Sequence, residues 1–296
     1  MRTKLHWGLS PIGVYAAPIY LALKRGVFGA PGVTVEASDN ITGADYTENL
    51  VASKYDMGHI GTPPLFAALA RTDEYVIVGQ AVMRQACFYV IAPPTVRSLR
   101  DLRGQVIALN KLRTCPHSIV RTLLREAGMT ESDVTLRTLV DGWIINEAIG
   151  RGEVAAAVNW EPYVSQAERR YGWHIIGDGR TVIDPSNYGY LLYARRSLVA
   201  DEPNLVSAMV QAYSDAVRYA MGHVDDAAAT LYGRIPGIEP VDIGRGLRRD
   251  MAGWTWDTRL DPAFIDRVMT EMREQTVVPA DFDIRLVLAA ASAAAR

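Results

Sequence analysis

The sequence predicts an α/β protein of two doubly wound lobes with a ligand cleft between them. Three observations carry that expectation. Short apolar strands alternate with helical stretches, the alternation comes in two consecutive series, and two further apolar strands stand where the chain would pass between them. The length of 296 residues, 49% of them hydrophobic, is enough for one large core or two modest ones.

In the first series, residues 4–9 read as a strand and 14–25 as a helix stopped by Gly26, the residue that takes a left-handed C-cap without steric cost. Residues 33–37 alternate as a second strand, and Asp45 is positioned to cap a helix running to Ala52. Residues 56–60 form a third strand running into Pro63 and Pro64, where the next helix starts at once. Residues 75–82 and 88–92 are apolar enough for buried strands, and the break at 83–86 between them is the expected crossover.

The second series comprises strand 106–109, helix 118–127 stopped by Gly128, strand 134–139, helix 144–150 and strand 154–158. A helix over 162–171, a strand over 173–176 and a strand over 188–194 returning to the first lobe follow. Such alternation favours parallel sheets with helices on both faces. From Pro203 the chain is mainly helical, with runs through Met221, over 227–232 and over 262–276. The expected lobes are 1–86 with 190–296, and 87–189.

Charge and composition exclude several function classes. With 31 Lys and Arg against 33 Asp and Glu, the net charge of −2 gives no electrostatic case for a nucleic acid or an anionic membrane surface as partner. No window approaches the ~20 apolar residues of a membrane helix, so no membrane insertion is expected. Two cysteines outside any CxxC or Cys/His ligand set predict neither a disulfide framework nor a metal site. Walker, dinucleotide-binding GxGxxG, HExxH and GxSxG motifs are absent, and no cofactor is expected. The first residues hold no apolar stretch of signal-peptide length. A cytoplasmic protein is therefore expected if the chain starts as written, and a periplasmic or cell-surface one if a leader has been removed.

Four strand-to-helix junctions share one composition: Ser10-Pro11-Ile12-Gly13, Thr62-Pro63-Pro64, Thr114-Cys115-Pro116-His117 and Asn159-Trp160-Glu161-Pro162. Each pairs a capping side chain with a proline suited to a first helical turn, and the free N–H groups there attract negative charge. Ligands of open α/β sheets bind beyond the carboxyl ends of the strands, so junctions on that side of two facing lobes would converge on one cleft.

The segments SPIGVYAAPIYLALKRGVF, YDMGHIGTPPLFAALA, SLRDLRGQVIALN, GRGEVAAAVNWEPYVSQA and DEPNLVSAMVQAYSDAV occur in that order over nearly the whole chain. The chain thereby resembles the ABC-transporter substrate-binding proteins for aliphatic sulfonates, taurine, nitrate and thiamine-pyrimidine precursors, of the type II periplasmic-binding-protein fold. The resemblance implies two lobes closing on a small organic anion or heteroaromatic ligand, and an ABC permease as partner if the protein is exported. It also implies pocket roles for Ser10, Pro11, Ile12 and Gly13, for His59, Gly61 and Thr62, for Thr114, Cys115 and His117, and for Trp160 and Glu161.

Further candidates come from residue chemistry. Arg84, at the presumed crossover, offers a bidentate partner for a carboxylate, sulfonate or phosphate, and Arg113 does likewise before Thr114. Trp160, Tyr163, Trp143 and Tyr188 are candidate stacking aromatics. The fold also houses cytoplasmic enzymes, among them aromatic desulfinases, decarboxylases and pyrimidine-precursor synthases, which make enzymatic turnover of a small aromatic acid the alternative. Cys115 at a helix start, His59 and His117 are the catalytic candidates. The first loop carries no cysteine where a desulfinase nucleophile is expected, and the Cys-rich patch of the pyrimidine synthases is missing. A cytoplasmic ligand sensor is a third reading, without a dedicated partner helix to support it.

Overall fold

The computed structural model describes residues 2–10, 13–40, 42–81, 87–181, 189–260 and 262–288. The strands in chain order are β1 (Lys4–Gly8), β2 (Thr34–Ser38), β3 (Met57–Gly61), β4 (Tyr75–Gln80), β5 (Phe88–Ala92), β6 (Val106–Leu109), β7 (Thr135–Thr138), β8 (Ala156–Trp160), β9 (His174–Asp178) and β10 (Tyr190–Arg195). They form two five-stranded sheets, ordered β2-β1-β3-β10-β4 and β7-β6-β8-β5-β9. The chain passes from the first sheet to the second between β4 and β5 and returns between β9 and β10.

Each sheet is mixed, where the alternation favoured parallel ones. β1 runs parallel to β2 and β3, but β10 is inserted antiparallel between β3 and β4. In the second sheet β6 is parallel to β7 and β8, while β5 lies antiparallel between β8 and β9. The strand that enters each sheet from the other is thus the antiparallel one. A parallel crossover takes a dozen or more residues, and residues 81–87 before β5 and 179–189 before β10 are fewer than that. β3, β4, β5 and β8 are buried at every residue, whereas β2 and β7 at the edges are not.

The helices are α1 (Ala17–Lys24), α2 (Gly43–Val51), α3 (Thr62–Leu69), α4 (Cys115–Glu126), α5 (Gly142–Gly150), α6 (Tyr163–Tyr171), α7 (Arg196–Asp201), α8 (Pro203–Gly222), α9 (Val224–Ala229), α10 (Pro240–Met251) and α11 (Pro262–Glu274). A 3-10 turn over Val14–Ala16 precedes α1. α2 is capped by Thr42, whose Oγ1 accepts from the Asp45 N–H, so Asp45 sits in the first turn and is not the expected cap. The left-handed C-cap forms at Gly26, with φ +68. None of these helices is long and apolar enough to cross a membrane among the described residues.

Two glycines set the packing of the first sheet's centre. The hydroxyls of Tyr46 on α2 and Tyr193 on β10 meet at 2.7 Å over β1 and β3. A Cβ on Gly8 would lie within 2.6 Å of both hydroxyls, and one on Gly58 within 2.5 Å, so only glycine admits the phenol pair.

α10 joins what the sheets separate. It packs on α9 and on the 3-10 turn at 14–16, and also on α6 beside the second sheet. Arg169 of α6 grips the fully buried Asp242 with two bonds of 2.7 and 2.8 Å, and Arg249 of α10 bonds Glu161 and Glu168 at 2.6 Å each.

Candidate functional site

Two cross-strand pairs build the site. In the first sheet the last residue of β3, Gly61, lies opposite the first residue of β10, Tyr190. In the second sheet the last residue of β8, Trp160, lies opposite the first of β5, Phe88. All four line one cavity of about 30 Å³, together with Ser10, Tyr15, Gly43, Ile60, Pro64, Asn110, Thr114, Cys115 and Pro116. Residues from both sheets and from all four proline-bearing junctions therefore meet at one place.

Aromatic rings form most of the wall. Tyr15 and Tyr190 meet edge to face at 5.0 Å on one side, and Phe88 and Trp160 do so at 6.2 Å on the other. Trp160 is also wedged against Tyr163 at 5.5 Å. The Cys115 thiol of the second series faces Gly61 of the first so closely that a Cβ on Gly61 would stand 2.4 Å from the sulfur.

The side chains expected to cap the four helix starts do other work. Thr62 Oγ1 donates to the Gly189 carbonyl at 2.6 Å, tying the end of β3 to the start of β10. Thr114 Oγ1 donates to the Lys111 carbonyl at 2.7 Å. Asn159 Nδ2 donates to the Gly142 carbonyl and to Asn146 Oδ1, both at 2.9 Å, fixing β8 against α5. Prolines in the first turns of α3 and α4 remove N–H groups that would otherwise need caps. Ser10 is fully buried, and its hydroxyl has no well-formed hydrogen bond although the Tyr190 phenol lies beside it. The indole N–H of Trp160 is likewise buried and without an acceptor. A buried donor left unpaired costs free energy, so these two groups, with the Cys115 N–H at the start of α4 and the Asn110 amide beside it, are polar chemistry near the cavity.

The three catalytic candidates do not assemble. The His59 ring is fully buried, takes a 3.4 Å bond on Nδ1 from the Trp7 indole and contacts Tyr213 of α8 at 5.4 Å between ring centres. It is not among the cavity-lining groups, and burial holds its pKa down to about 3. The Cys115 thiol lines the cavity, but burial pushes it up to about 12 and outweighs the helix N-terminus. His117 accepts on Nδ1 from the Arg113 N–H at 3.0 Å, and its Nε2 lies 3.2 Å from Glu131. Both ring nitrogens are thus engaged away from Cys115, and no Cys–His pair forms.

Behind Trp160 lies an acid pair whose members stand far apart in the sequence. Glu161 is fully buried, bonded to Arg249 and capping α6 through a 3.0 Å bond from the Ser165 N–H. Asp250 is also fully buried and accepts from the Tyr89 hydroxyl at 2.6 Å. Burial raises the pKa of both carboxyls, and the charge of Glu161 raises that of Asp250 further; Arg249 draws Glu161 partly back.

Of the expected site residues, Ser10, Gly61, Thr114, Cys115 and Trp160 line the cavity, whereas Gly13, His59, Thr62, His117 and Glu161 do not. Arg113 is exposed, and Tyr163 supports Trp160 from behind. Pro11, Ile12, Arg84 and Tyr188 lie outside the described residues. Tyr15, Gly43, Phe88, Asn110 and Tyr190 line the cavity without any signal in the sequence that sets them apart. Phe88 and Tyr190 read as ordinary core within apolar strands, and only their position as first residues of the inserted strands distinguishes them.

The family model described as NMT1/THI5 like matches residues 14–227. A putative aliphatic sulfonates-binding protein of Escherichia coli (strain K12) is 27% identical over 193 residues, 64% of this chain and 58% of that relative's length. A 4-amino-5-hydroxymethyl-2-methylpyrimidine phosphate synthase of Aspergillus parasiticus is 26% identical over 162 residues, 53% of this chain and 44% of the synthase. Among solved structures, the periplasmic aliphatic sulphonate binding protein of Escherichia coli superposes with a TM-score of 0.83 at 20% identity, covering 97% of this chain and 92% of that one. The fold is accordingly that of a two-lobed periplasmic binding protein.

Proposed function

The chain belongs to the NMT1/THI5-like family, and from that premise we propose that it binds a small organic molecule in the cavity between its two sheets. The observation that carries the reading is the paired strand-end geometry. Gly61 with Tyr190 and Trp160 with Phe88 bring both sheets to one cavity that holds two unpaired donors. A cavity of about 30 Å³ takes little more than water, whereas one of about 150 Å³ accommodates benzene, so ligand entry requires the two sides to part and re-close. On this reading residues 1–86 with 190–296 move as one lobe and 87–189 as the other.

The role proposed is that of the substrate-binding component of an ABC importer, presenting its ligand to a permease outside the membrane. The curated relatives that bind aliphatic sulfonates support it. Turnover of a small heteroaromatic acid is the second reading, favoured by the similarity to the pyrimidine phosphate synthase. A thiol pushed up to about 12 weighs against Cys115 as its nucleophile.

Native mass spectrometry of the purified protein, followed by incubation with the compound it carries, separates the readings. Release of the compound unchanged supports a binder, and a new product supports the enzyme. A protein that retains no small molecule and binds none from a metabolite extract overturns the proposal.

A further inference from the structure

The lobe movement required by the proposed binding role carries a buried acid with it, and what this acid does rests on that movement. α10 belongs to the proposed lobe of residues 1–86 with 190–296, whereas β5, α6 and the segment after β9 belong to the other. Two fully buried aspartates of α10 face that second lobe. Asp242 is met there by Arg169, with two bonds of 2.7 and 2.8 Å. Asp250, about two turns further along the helix, has no such partner among the described residues.

The Oδ1 atom of Asp250 accepts from the neutral Tyr89 hydroxyl at 2.6 Å. Its Oδ2 has no well-formed hydrogen bond, although the Cys87 thiol lies beside the carboxyl. The two nearby guanidiniums are committed elsewhere. Arg249 bonds Glu161 and Glu168, while Arg180 bonds Asp178 and donates from Nη1 to the Arg249 carbonyl. Both lie over the Tyr89 ring, Arg180 at 5.2 Å and Arg249 at 5.9 Å from its centre. Asp250 is thus faced by Glu161, with Glu168 and Asp178 beyond the two arginines, and by the neutral groups of Tyr89, Cys87 and Tyr15.

A buried carboxylate without a cation of its own is costly, and the protonated acid avoids that cost. Burial and the charge of Glu161 push the Asp250 carboxyl well above its usual range, against the pull of the Tyr89 hydroxyl and the two arginines. Both causes depend on the closed arrangement. When the lobes part, water reaches Asp250, and Glu161 leaves with the other lobe.

We propose that closure of the lobes takes up one proton from solvent onto Asp250 and that opening returns it. A carboxyl that holds its proton more tightly when closed than when open makes acid favour the closed form, and the preference is lost as pH rises. Above the ordinary aspartate value of about 3.9, the ratio of open to closed protein climbs up to about tenfold per pH unit until the carboxyl of the closed form ionises too.

Double electron–electron resonance on the ligand-free protein tests this. Nitroxides at Lys54→Cys and Thr95→Cys, two exposed positions on opposite lobes, report the separation, and both native cysteines are buried. From pH 5 to pH 8 the open-to-closed ratio is expected to rise about tenfold or more. Asp250→Asn, whose amide stands in for the protonated acid, should stay closed throughout. Tyr89→Phe removes the donor that steadies the carboxylate and should open only at a higher pH than the wild type. A wild-type separation that does not change with pH, one that changes equally in Asp250→Asn, or opening of Tyr89→Phe at a lower pH would overturn the inference. The binding role survives each of these results, because it falls only if the native protein retains and binds no small molecule.

Discussion

Replacing Arg249 by methionine isolates the contact on which the Trp160 side of the cavity rests. Arg249 reaches Glu161 at 2.6 Å, and Glu161 is the residue after Trp160 and is fully buried. Without the guanidinium, the carboxylate is left with Ser165 as its charge-stabilising neighbour. Removing one partner of a buried ion pair costs about 3–5 kcal/mol, and the partial exposure of Arg249 brings the expected loss to roughly 2–3 kcal/mol. For a chain of this size that is a fall of about 3–5 °C in Tm.

The pH dependence gives the sharper test. Burial already raises the Glu161 pKa above its ordinary value, and Arg249 is the largest influence lowering it, so the variant's pKa rises further. A carboxyl raised in the folded state binds more protons there than when unfolded. Its stabilising contribution is present below the ordinary carboxyl value and is lost as pH rises through the folded one. Asp250, Glu168 and Tyr89 surround the site, and the Asp250 carboxyl is raised for the same reason. The deficit of Arg249→Met should therefore be larger at pH 8 than at pH 5 in urea titrations, and Glu161→Gln in the same chain should restore much of it. An equal deficit at both pH values, or a larger one at pH 5, refutes the buried-pair reasoning.

Other consequences are as direct. Because burial holds His59 down to about 3, its contribution to stability is complete above the ordinary histidine value and is lost as pH falls. Between pH 7.5 and 5 the wild type should lose about 2 kcal/mol more than His59→Phe, and parallel pH curves would exclude that assignment. Gly58→Ala puts a Cβ 2.4 Å from the Tyr193 hydroxyl and 2.6 Å from the Gly8 carbonyl. A loss of about 3 kcal/mol is expected in urea titrations, and a neutral change would mean that the phenol pair can move aside. At pH 8 a thiol raised from 9.0 to about 12 holds about a thousandth of the usual thiolate, so iodoacetamide should modify Cys115 that much more slowly in the native protein than in urea. Labelling at the unfolded rate would show that the thiol is open to solvent.

Legibility in the sequence depended on whether local chemistry or distant partners decided the outcome. β5 and β6 fall where the apolar runs at 88–92 and 106–109 place them, because near-complete burial leaves an unbroken apolar signal. α4 begins at Cys115, three residues before the expected start, because Pro116 belongs to a first helical turn and does not precede it. β8 occupies 156–160, against an expected 154–158. Its last two residues, Asn159 and Trp160, are buried through an amide network reaching α5 that no local pattern announces. α10 carries a sparser signal. In PVDIGRGLRRDM only Ile243, Leu247 and Met251 mark a helical spacing, and ion pairs with Glu161, Glu168 and Arg169 add to their burial in fixing its place. Its Gly246 is structural as well, since a Cβ there would stand 2.6 Å from the Glu161 carboxylate. The shared composition of the four junctions does mark residues that converge. Their polar side chains, however, serve the joins between strands more than the caps of helices.

The central claim is that a ligand is enclosed where Gly61 of one sheet meets Cys115 beside the other. Native mass spectrometry of the wild type and of Gly61→Leu, purified in parallel and matched for folded content by circular dichroism, addresses it directly. A Cβ at this position already stands 2.4 Å from the Cys115 sulfur, so a leucine side chain would clash there and hold the two sides apart. A small molecule retained by the wild type and lost from Gly61→Leu is the predicted result; retention of the same molecule to the same extent by both proteins would place the ligand elsewhere and contradict the account.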